Sequence, residues 1–340
     1  MKKVIECVPN FSEGRDLAVI KQITDVIESV QGIQLLDVDP GESTNRTVVT
    51  FIGEPEPVKE AAFRAVKKAA ELIDMKNHKG EHSRFGATDV CPFVPVSNAT
   101  MEDCVEFARQ VGQRIGEELG IPVYLYEHAA SKPERQNLAK VRAGEYEGLE
   151  KKLANPDWKP DFGPAVFNPG AGATAVGARE FLIAYNINLN TTDRRYANEL
   201  AYEIRERGRW KRIGNVEPFY YKGELVNFEE GKYPDGNSGF VAGSFEELAE
   251  FYKKEYGADL YERYRSIGLD PDNLVGRPVY KDGMFTHLKG IGWVVDDYKC
   301  AQVSLNLTNY KITSPVDVLE AVRKLAVDRG IVITGSEIVG

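Results

Sequence analysis

The stretch HKGEHSRFGATDVCPFVPV (78–96) is the densest group of side chains that could carry chemistry. His78 and His82 stand four positions apart, and imidazole is the side chain whose unperturbed pKa lies nearest neutrality. The spacing permits a proton-transfer site, a metal site or ordinary structural histidines. A zinc-binding HExxH helix needs Glu directly after the first His, whereas Lys79 follows His78 and Gly80 disfavours a helix. We therefore predict no metal ligand, and a polar, glycine-broken loop before a buried strand favours a functional role.

Asp37 and Asp39 point to the same face at the end of a predicted strand. A carboxylate there could pair with a histidine or hold a cationic group of a substrate. The sequence Asp-Val-Asp-Pro is equally typical of a simple turn, which is the plainer interpretation when these residues are taken alone.

Two loops could contact a ligand through their backbones. The segment DFGPAVFNPGAGATA (161–175) is rich in glycine but lacks the GK[ST] and GxGxxG phosphate-binding patterns. It is either a linker or a loop that lies close to a flat ligand. The segment VPNFSEGR (8–15) ends a strand and begins a helix, so its N–H groups could bind a carboxylate. Helix capping explains Ser12 equally well.

A β-α-β-β-α-β unit positions these segments, and its order recurs near the C-terminus. Hydrophobic periodicity and turn signals predict the first unit as strand 4–8, helix 16–29, strands 33–39 and 46–52, helix 57–74 and strand 90–96. The second unit is predicted as strand 181–189, helix 193–207, strands 290–296 and 301–307, a helix opening at Ser314-Pro315, and strand 331–334.

This pattern predicts an α+β fold of two duplicated ferredoxin-like halves with a cleft between their sheets. We place the domains at 1–178 and 179–340. Residues 100–126 add a helix and a strand to the first half. Residues 209–287 form an insertion in the second half, and its aromatic content indicates an ordered surface elaboration rather than a disordered linker.

Composition narrows the class of protein. The 340 residues carry a net charge of −9, which argues against general nucleic-acid binding. The four cysteines form no CxxC pair, and no apolar run reaches the length of a membrane span. MKKVIECV runs directly into a strand without a signal peptide, so we expect a cytoplasmic protein with reduced thiols and no membrane partner. Cys91, inside an apolar strand, is expected to be a core residue.

The motifs together resemble the glutamate formiminotransferase family, the transferase part of formiminotransferase-cyclodeaminase. The matching stretches follow one another along nearly the whole chain: VPNFSEGR (8–15), DVDP…NRTVVTFIG (37–53), HKGEHSRFGATDVCPFVPV (78–96), VYLYEHAA (123–130), VRAGEYEGL (141–149), FGPAVFNPGAGATAVGAREFLIAYNINL (162–189), KGIGW (289–293) and AQVSLNL (301–307). The resemblance implies two lobes with a folate site between them, and a homodimer.

The resemblance also implies a reaction and its residues. A formimino group would move from N-formiminoglutamate to N5 of tetrahydrofolate, with or without a polyglutamate tail, in histidine degradation and one-carbon metabolism, without a metal. His82 matches the family's acid/base histidine. The family's folate loop corresponds to Gly163, Pro164, Ala165, Val166, Phe167, Asn168, Pro169, Gly170, Ala171 and Gly172.

Other roles are assigned as hypotheses. Asp39 is a candidate to hold the donor's amidinium or to orient His82, and Asn10, Arg46 and Arg84 are candidate substrate-binding residues. Formyl transfer from N-formylglutamate, folate-independent hydrolysis of the donor, and non-catalytic folate binding remain alternatives.

We expect the 209–287 insertion to be absent from compact family members. We expect the protein to lack the cyclodeaminase domain and so to release the product rather than pass it on within the same chain.

Overall fold

The computed structural model describes residues 2–214, 216–296 and 298–339. The chain divides into two compact units, the first running to Phe181 and the second spanning Leu182–Val339. The assignment of functional domains at 1–178 and 179–340 stays a prediction. Within the described ranges, no helix combines the length and the apolar character that crossing a membrane requires.

The first unit alternates strands with helices that cover its sheet. Its elements are β1 (Val4–Cys7), β2 (Asn10–Phe11), α1 (Leu17–Glu28), β3 (Ile33–Gly41), β4 (Arg46–Gly53), α2 (Pro55–Leu72), β5 (Thr88–Ser97), α3 (Met101–Leu119), β6 (Val123–Glu127), α4 (Leu138–Arg142), α5 (Leu149–Leu153) and β7 (Thr174–Ala178). Short 3-10 turns occupy Pro133–Arg135 and Pro156–Trp158.

The second unit contains a four-stranded sheet and an elaborated segment. Its elements are β8 (Ile183–Leu189), α6 (Arg194–Ile204), β9 (Arg209–Trp210), β10 (Arg212–Ile213), β11 (Glu224–Leu225), β12 (Tyr233–Pro234), β13 (Val241–Ala242), α7 (Phe245–Tyr256), α8 (Leu260–Ser266), β14 (Tyr280–Lys281), β15 (Leu288–Val295), β16 (Cys300–Leu307), α9 (Pro315–Asp328) and β17 (Ile333–Val339). A 3-10 turn lies at Tyr220–Lys222.

The two main sheets share a strand order. In the first unit β3 pairs with β4, β4 pairs with β1 and β2, and both of these pair with β5. The parallel strands β7 and β6 extend that sheet beyond β5. In the second unit the order is β15-β16-β8-β17, antiparallel throughout. The predicted α+β class is confirmed, and the sheets are consistent with ferredoxin-like units. Duplication of the halves and a cleft between them stay predictions.

Helix capping explains where the main helices begin. Asp16 accepts hydrogen bonds from the Ala18 and Val19 amides and so caps α1. A capping box between Thr100 and Asp103 starts α3. α2 begins at Pro55 rather than at the predicted Pro57, because a proline fits the first helical turn.

Local hydrogen bonds explain two boundaries that the sequence analysis misplaced. α6 ends at Ile204 instead of near Arg207, because Arg209–Trp210 pairs as a strand with β14. β17 begins at Ile333 instead of Ile331, because the Ile331 amide still donates to Ala326 at the end of α9.

Each unit has its own apolar core. In the first, α1 packs on α2, α2 on α3, and α3 on β5, β6 and β7, and the buried face of α2 carries Val58, Ala62, Val66 and Ala69. In the second, α6 and α9 pack together and α6 lies on β15 and β16. The described residues of the 209–287 segment bury a cluster that includes Phe228, Leu248 and Tyr264, as expected of an ordered elaboration, and they include helix α7.

Two glycines bring the histidine stretch against the loop that precedes β7. Gly86 and Gly172 form an isolated antiparallel bridge. A Cβ atom on Gly86 would lie 1.9 Å from the Ala173 oxygen, and one on Gly172 would lie 2.2 Å from the Phe85 oxygen. Glycine is required at both positions because two backbones meet there.

Gly172→Ala should therefore destabilise the chain more than Gly120→Ala. Both glycines have left-handed φ angles, +66° and +64°, but a Cβ atom on Gly120 meets nothing within 4 Å. We expect a loss in the free energy of unfolding of about 1 kcal/mol for Gly120→Ala and about 3 kcal/mol or more for Gly172→Ala. Urea unfolding of both variants measures the difference, and equal losses would contradict the proposed backbone contact.

Candidate active site

His82 lies partly buried in the loop between α2 and β5. Its Nδ1 atom is 2.7 Å from the Ser83 carbonyl oxygen. Because a carbonyl oxygen only accepts, Nδ1 carries the proton and Nε2 is the basic nitrogen. Burial and the positive charges of Arg46 and Arg142 lower the pKa of His82 to about 2. The imidazole is therefore neutral at pH 7.

His78 uses both ring nitrogens within the protein. Its Nε2 donates to the Asn45 carbonyl oxygen over 2.8 Å, and its Nδ1 accepts from Nε of Arg84 over 3.1 Å. Burial, with the charge of Arg84, lowers the pKa of His78. These bonds fix a neutral structural imidazole, so the geometry favours His82 as the reactive histidine.

Arg84 joins the histidine loop to the loop after α4. Its guanidinium donates to Glu145 over 3.1 Å and to Glu147 over 2.7 and 3.0 Å, and its side chain is 8% exposed. A further bond runs to the His78 carbonyl oxygen over 3.4 Å. Arg84 thus holds the two loops together. The substrate-binding role predicted for it would require these ion pairs to break.

Arg46 has a buried nitrogen without a hydrogen-bond partner in the part of the chain that the structure describes. One terminal nitrogen donates to Oδ1 of Asn10, while Nε is buried and lacks a partner among the described residues. Burial and the neighbouring Arg142 lower the pKa of Arg46 to about 10, against the opposing charges of Asp89 and Asp39. A buried guanidinium N–H without an acceptor indicates a place for an anionic group.

Arg142 completes this charged cluster through a buried ion pair. Its guanidinium binds both carboxylate oxygens of Asp89, which is 0% exposed. Asp89 also accepts from the Phe85 amide over 3.2 Å. The pair therefore fixes the end of the histidine loop and places a second guanidinium near His82.

The structure thus brings together part of the predicted set. His82, Arg46, Asn10 and Asp39 lie in one cluster, with Asn10 serving as a partner of Arg46 and Asp39 acting electrostatically on it. Asp37 is exposed at the edge strand β3. None of these contacts establishes a catalytic role for Asp39, which stays a prediction.

The site residues predicted from the sequence do not include Arg142, Glu145 or Glu147. All three lie in VRAGEYEGL (141–149), and no spacing rule links that stretch to the histidines. The Tyr146 amide donates to the Arg84 carbonyl oxygen over 3.0 Å, so the two stretches meet only in the folded chain. In the sequence, the one feature that could have indicated these residues is the group of charged side chains around Gly144.

The glycine-rich loop adjoins the same cluster. The Tyr146 hydroxyl donates to the Pro169 carbonyl oxygen over 2.7 Å, and the Tyr146 and Phe167 rings lie 5.4 Å apart. Asn168 caps the loop by accepting from the Gly170 and Ala171 amides. Residues 163–166 are exposed. Contacts to the protein backbone explain Gly163 and Gly172, and folate binding by residues 163–172 stays a prediction.

Two other kinds of site depend on the acidic, histidine and cysteine side chains: a metal centre and a nucleophilic thiol. In the part of the chain that the structure describes, no three His, Cys, Asp or Glu side chains form a group that could hold a metal ion. Cys91 is 0% exposed and its sulfur lies 3.7 Å from that of Cys7, which confirms it as a core residue.

Comparison with known proteins identifies the family. A family model described as the formiminotransferase domain, N-terminal subdomain, matches residues 4–179, and a formiminotransferase domain model matches residues 260–340. The chain belongs to the formiminotransferase family. The resemblance drawn from the motifs is therefore confirmed.

Named relatives of the family align over much or all of the chain. Identity to the glutamate formimidoyltransferase of Streptococcus pyogenes serotype M1 is 51% over 208 residues, 61% of this chain and 70% of that protein. Identity to the glutamate formimidoyltransferase of Thermoplasma acidophilum is 38% over 339 residues, 99% of this chain and 87% of that protein. Identity to the formimidoyltransferase-cyclodeaminase of Dictyostelium discoideum is 43% over 340 residues, all of this chain and 50% of that protein.

The alignments cover different fractions of the relatives and of this chain. The chain spans about half the length of the formimidoyltransferase-cyclodeaminases that it matches. The alignment with the Thermoplasma protein covers 99% of the chain and 87% of that protein. The expectation that compact family members lack residues 209–287 stays a prediction.

Asp89→Asn should strongly destabilise the first unit. The substitution keeps the side chain's size but leaves the Arg142 guanidinium, 15% exposed, without its carboxylate. Breaking a buried ion pair in this way costs about 3–5 kcal/mol. Urea unfolding of Asp89→Asn, Arg142→Gln and the double variant gives the coupling energy, which we expect to exceed about 1 kcal/mol. Additive losses would contradict a direct interaction.

Proposed function

We propose that this chain transfers the formimino group from N-formiminoglutamate to N5 of tetrahydrofolate, with His82 as general acid and base. The proposal is carried by the His82 imidazole, whose Nδ1 is bonded to the Ser83 carbonyl oxygen and which lies near two guanidiniums. One of these guanidiniums has a buried N–H without an acceptor among the described residues. The names of the Streptococcus and Thermoplasma relatives support the same activity.

The charges of the cluster suit the proposed substrates. N-formiminoglutamate carries two carboxylates, and the glutamate portion of tetrahydrofolate carries two more. Nε of Arg46 can donate to such a group without breaking a bond within the protein. Arg142 adds a second positive charge while Asp89 holds it in place. Guanidinium groups bind carboxylates through short charge-assisted hydrogen bonds, so an anionic donor fits this position.

Binding of the substrate would adjust the basicity of His82. In the free protein the positive charges of Arg46 and Arg142 oppose protonation of the imidazole. A carboxylate placed against Arg46 offsets part of that charge and raises the pKa of His82 towards neutrality. The residue then becomes a more effective base only when the donor is in place.

The proposed reaction moves one proton through Nε2 of His82. The N5 nitrogen of tetrahydrofolate forms a bond to the amidine carbon of the donor, and His82 accepts the proton that this nitrogen loses. His82 then returns the proton to the glutamate nitrogen as its bond to the amidine carbon breaks. Acid–base catalysis of this kind contributes about 10²–10⁴-fold, and alignment of the two substrates about 7–11 kcal/mol in favourable systems.

Further parts of the proposal come from the family resemblance. We assign tetrahydrofolate to the loop at 163–172, because Tyr146 and Phe167 attach that loop to the segment bearing Arg142. A homodimer and a cytoplasmic location are proposed on the resemblance alone.

His82→Gln should lower turnover strongly while leaving folate binding intact. Glutamine keeps a polar side chain but cannot shuttle a proton, so we expect kcat to fall about 10²–10⁴-fold. The measurement is tetrahydrofolate-dependent consumption of N-formiminoglutamate, together with the Kd for tetrahydrofolate. His128→Gln, at an exposed histidine of the same unit, is the matched control and should retain wild-type kcat.

The same assay separates the alternative functions. N-formylglutamate in place of N-formiminoglutamate tests formyl transfer, and omission of tetrahydrofolate tests hydrolysis. Wild-type protein that binds tetrahydrofolate but turns over neither donor would contradict the proposed activity. Near-normal turnover by His82→Gln would contradict the role of His82.

A further inference from the structure

The second unit contains an open pocket whose lining is rich in arginine. Its volume is about 590 Å³, within the range of roughly 300–1,000 Å³ that is usual for small-molecule sites. Five guanidiniums line it: Arg195, Arg205, Arg207, Arg209 and Arg212. The chain as a whole has a net charge of −9, so this concentration of positive charge is local.

Two of the five arginines that line the pocket form ion pairs with carboxylates. Arg209 binds Glu199 and Glu203, and Arg195 binds Asp193. Within residues 2–214, 216–296 and 298–339, the other three arginines of the lining have no carboxylate partner. Burial, together with the charges of Arg207 and Arg209, lowers the pKa of Arg205.

The three unbalanced guanidiniums are Arg205, Arg207 and Arg212. Among the described residues, Arg205 donates to the Gly208 and Gly290 carbonyl oxygens over 3.3–3.4 Å and to no other acceptor. Arg212 donates to the Gly223 carbonyl oxygen over 2.7 Å, and Arg207 is exposed. Donors of these groups therefore remain for a ligand, because a guanidinium carries five N–H bonds.

The aromatic residues of the pocket form its apolar walls. Trp210 is 40% exposed and Tyr221 is 48% exposed. Tyr280 is 7% exposed, and its hydroxyl oxygen is buried without a partner among the described residues. Walls of this kind can cover the carbon framework of a ligand while the guanidiniums bind its charged groups.

We propose that this pocket binds a small oligoanion, a molecule with at least two phosphate or carboxylate groups. The guanidiniums recognise either group through charge-assisted hydrogen bonds, and three uncompensated charges require more than one negative charge in return. All residues that line this pocket belong to the second unit, and the test of the proposal does not use the reaction proposed for His82.

Calorimetric titration of the full chain with tripolyphosphate and, separately, with citrate tests the proposal. We expect saturable binding of at least one probe, and the arm that binds identifies phosphate or carboxylate as the preferred group. Arg207→Gln/Arg212→Gln should raise Kd at least about tenfold, because hydrogen bonds between charged groups are lost. Arg323→Gln, an exposed arginine elsewhere in the unit, should leave Kd unchanged.

The proposal would be wrong if neither probe bound saturably to the wild-type chain. It would also be wrong if the double variant and Arg323→Gln changed the Kd equally. The single variant Arg207→Gln changes an exposed side chain and is therefore expected to fold. If neither Arg207→Gln nor Arg212→Gln changed the Kd for the bound probe, the proposal would also be contradicted.

Discussion

The buried ion pair between Asp89 and Arg142 is the interaction on which the histidine loop and its electrostatics depend. An isolated carboxylate at 0% exposure would be strongly unfavourable, and Arg142 and the Phe85 amide together satisfy it. Arg142 of this pair places a positive charge near His82, whereas at Arg46 the charges of Arg142 and Asp89 oppose each other. The Asp89–Arg142 pair therefore fixes the histidine loop and lowers the pKa of His82. Because Arg142 is the partner of Asp89, the buried Nε of Arg46 stays available for a ligand.

The loops around this pair are held by contacts of three different kinds. Arg84 ties the histidine loop to Glu145 and Glu147 by charge. Gly86 and Gly172 tie it to the glycine-rich loop by backbone contact. Tyr146 connects the two remaining loops through a hydrogen bond and a ring contact. A site built from three loops needs contacts that fix the loops relative to one another, because catalysis tolerates little displacement of the reacting groups.

The fold was largely predictable from the sequence because its signals are local. The apolar face of α2, the caps at Asp16 and Ser314, and the alternation of β16 each depend on neighbouring residues. The boundaries at Ile204 and Ile333 were missed because distant strands and a helix end decide them. Pairing of β9 with β14 joins segments about seventy residues apart, which periodicity does not reveal.

The site was predictable where its residues lie in a recognisable motif, which holds for His82 and for Asn10, Asp39 and Arg46. His82 and Asp89 lie together in 78–96, and the family resemblance singled out His82. Arg142 lies 53 positions from Asp89, so its partner emerges only from the fold. Arg84 was expected to face a substrate, and its two glutamate partners come from that same distant loop. The arginine pocket of the second unit was not foreseen, because its charges are spread over several elements.

The central claim is that His82 is a neutral imidazole whose protonation is opposed by burial and by two guanidiniums. An NMR titration of the free protein measures this directly, with the His82 signal assigned from its absence in His82→Gln. The pKa lies below its ordinary value of 6.5, so the ring should remain neutral as the pH falls through 6.5 to about 5. In Arg46→Gln, which removes one positive charge, the pKa should rise. A wild-type His82 that titrates near 6.5 and does not respond to Arg46→Gln would contradict the account.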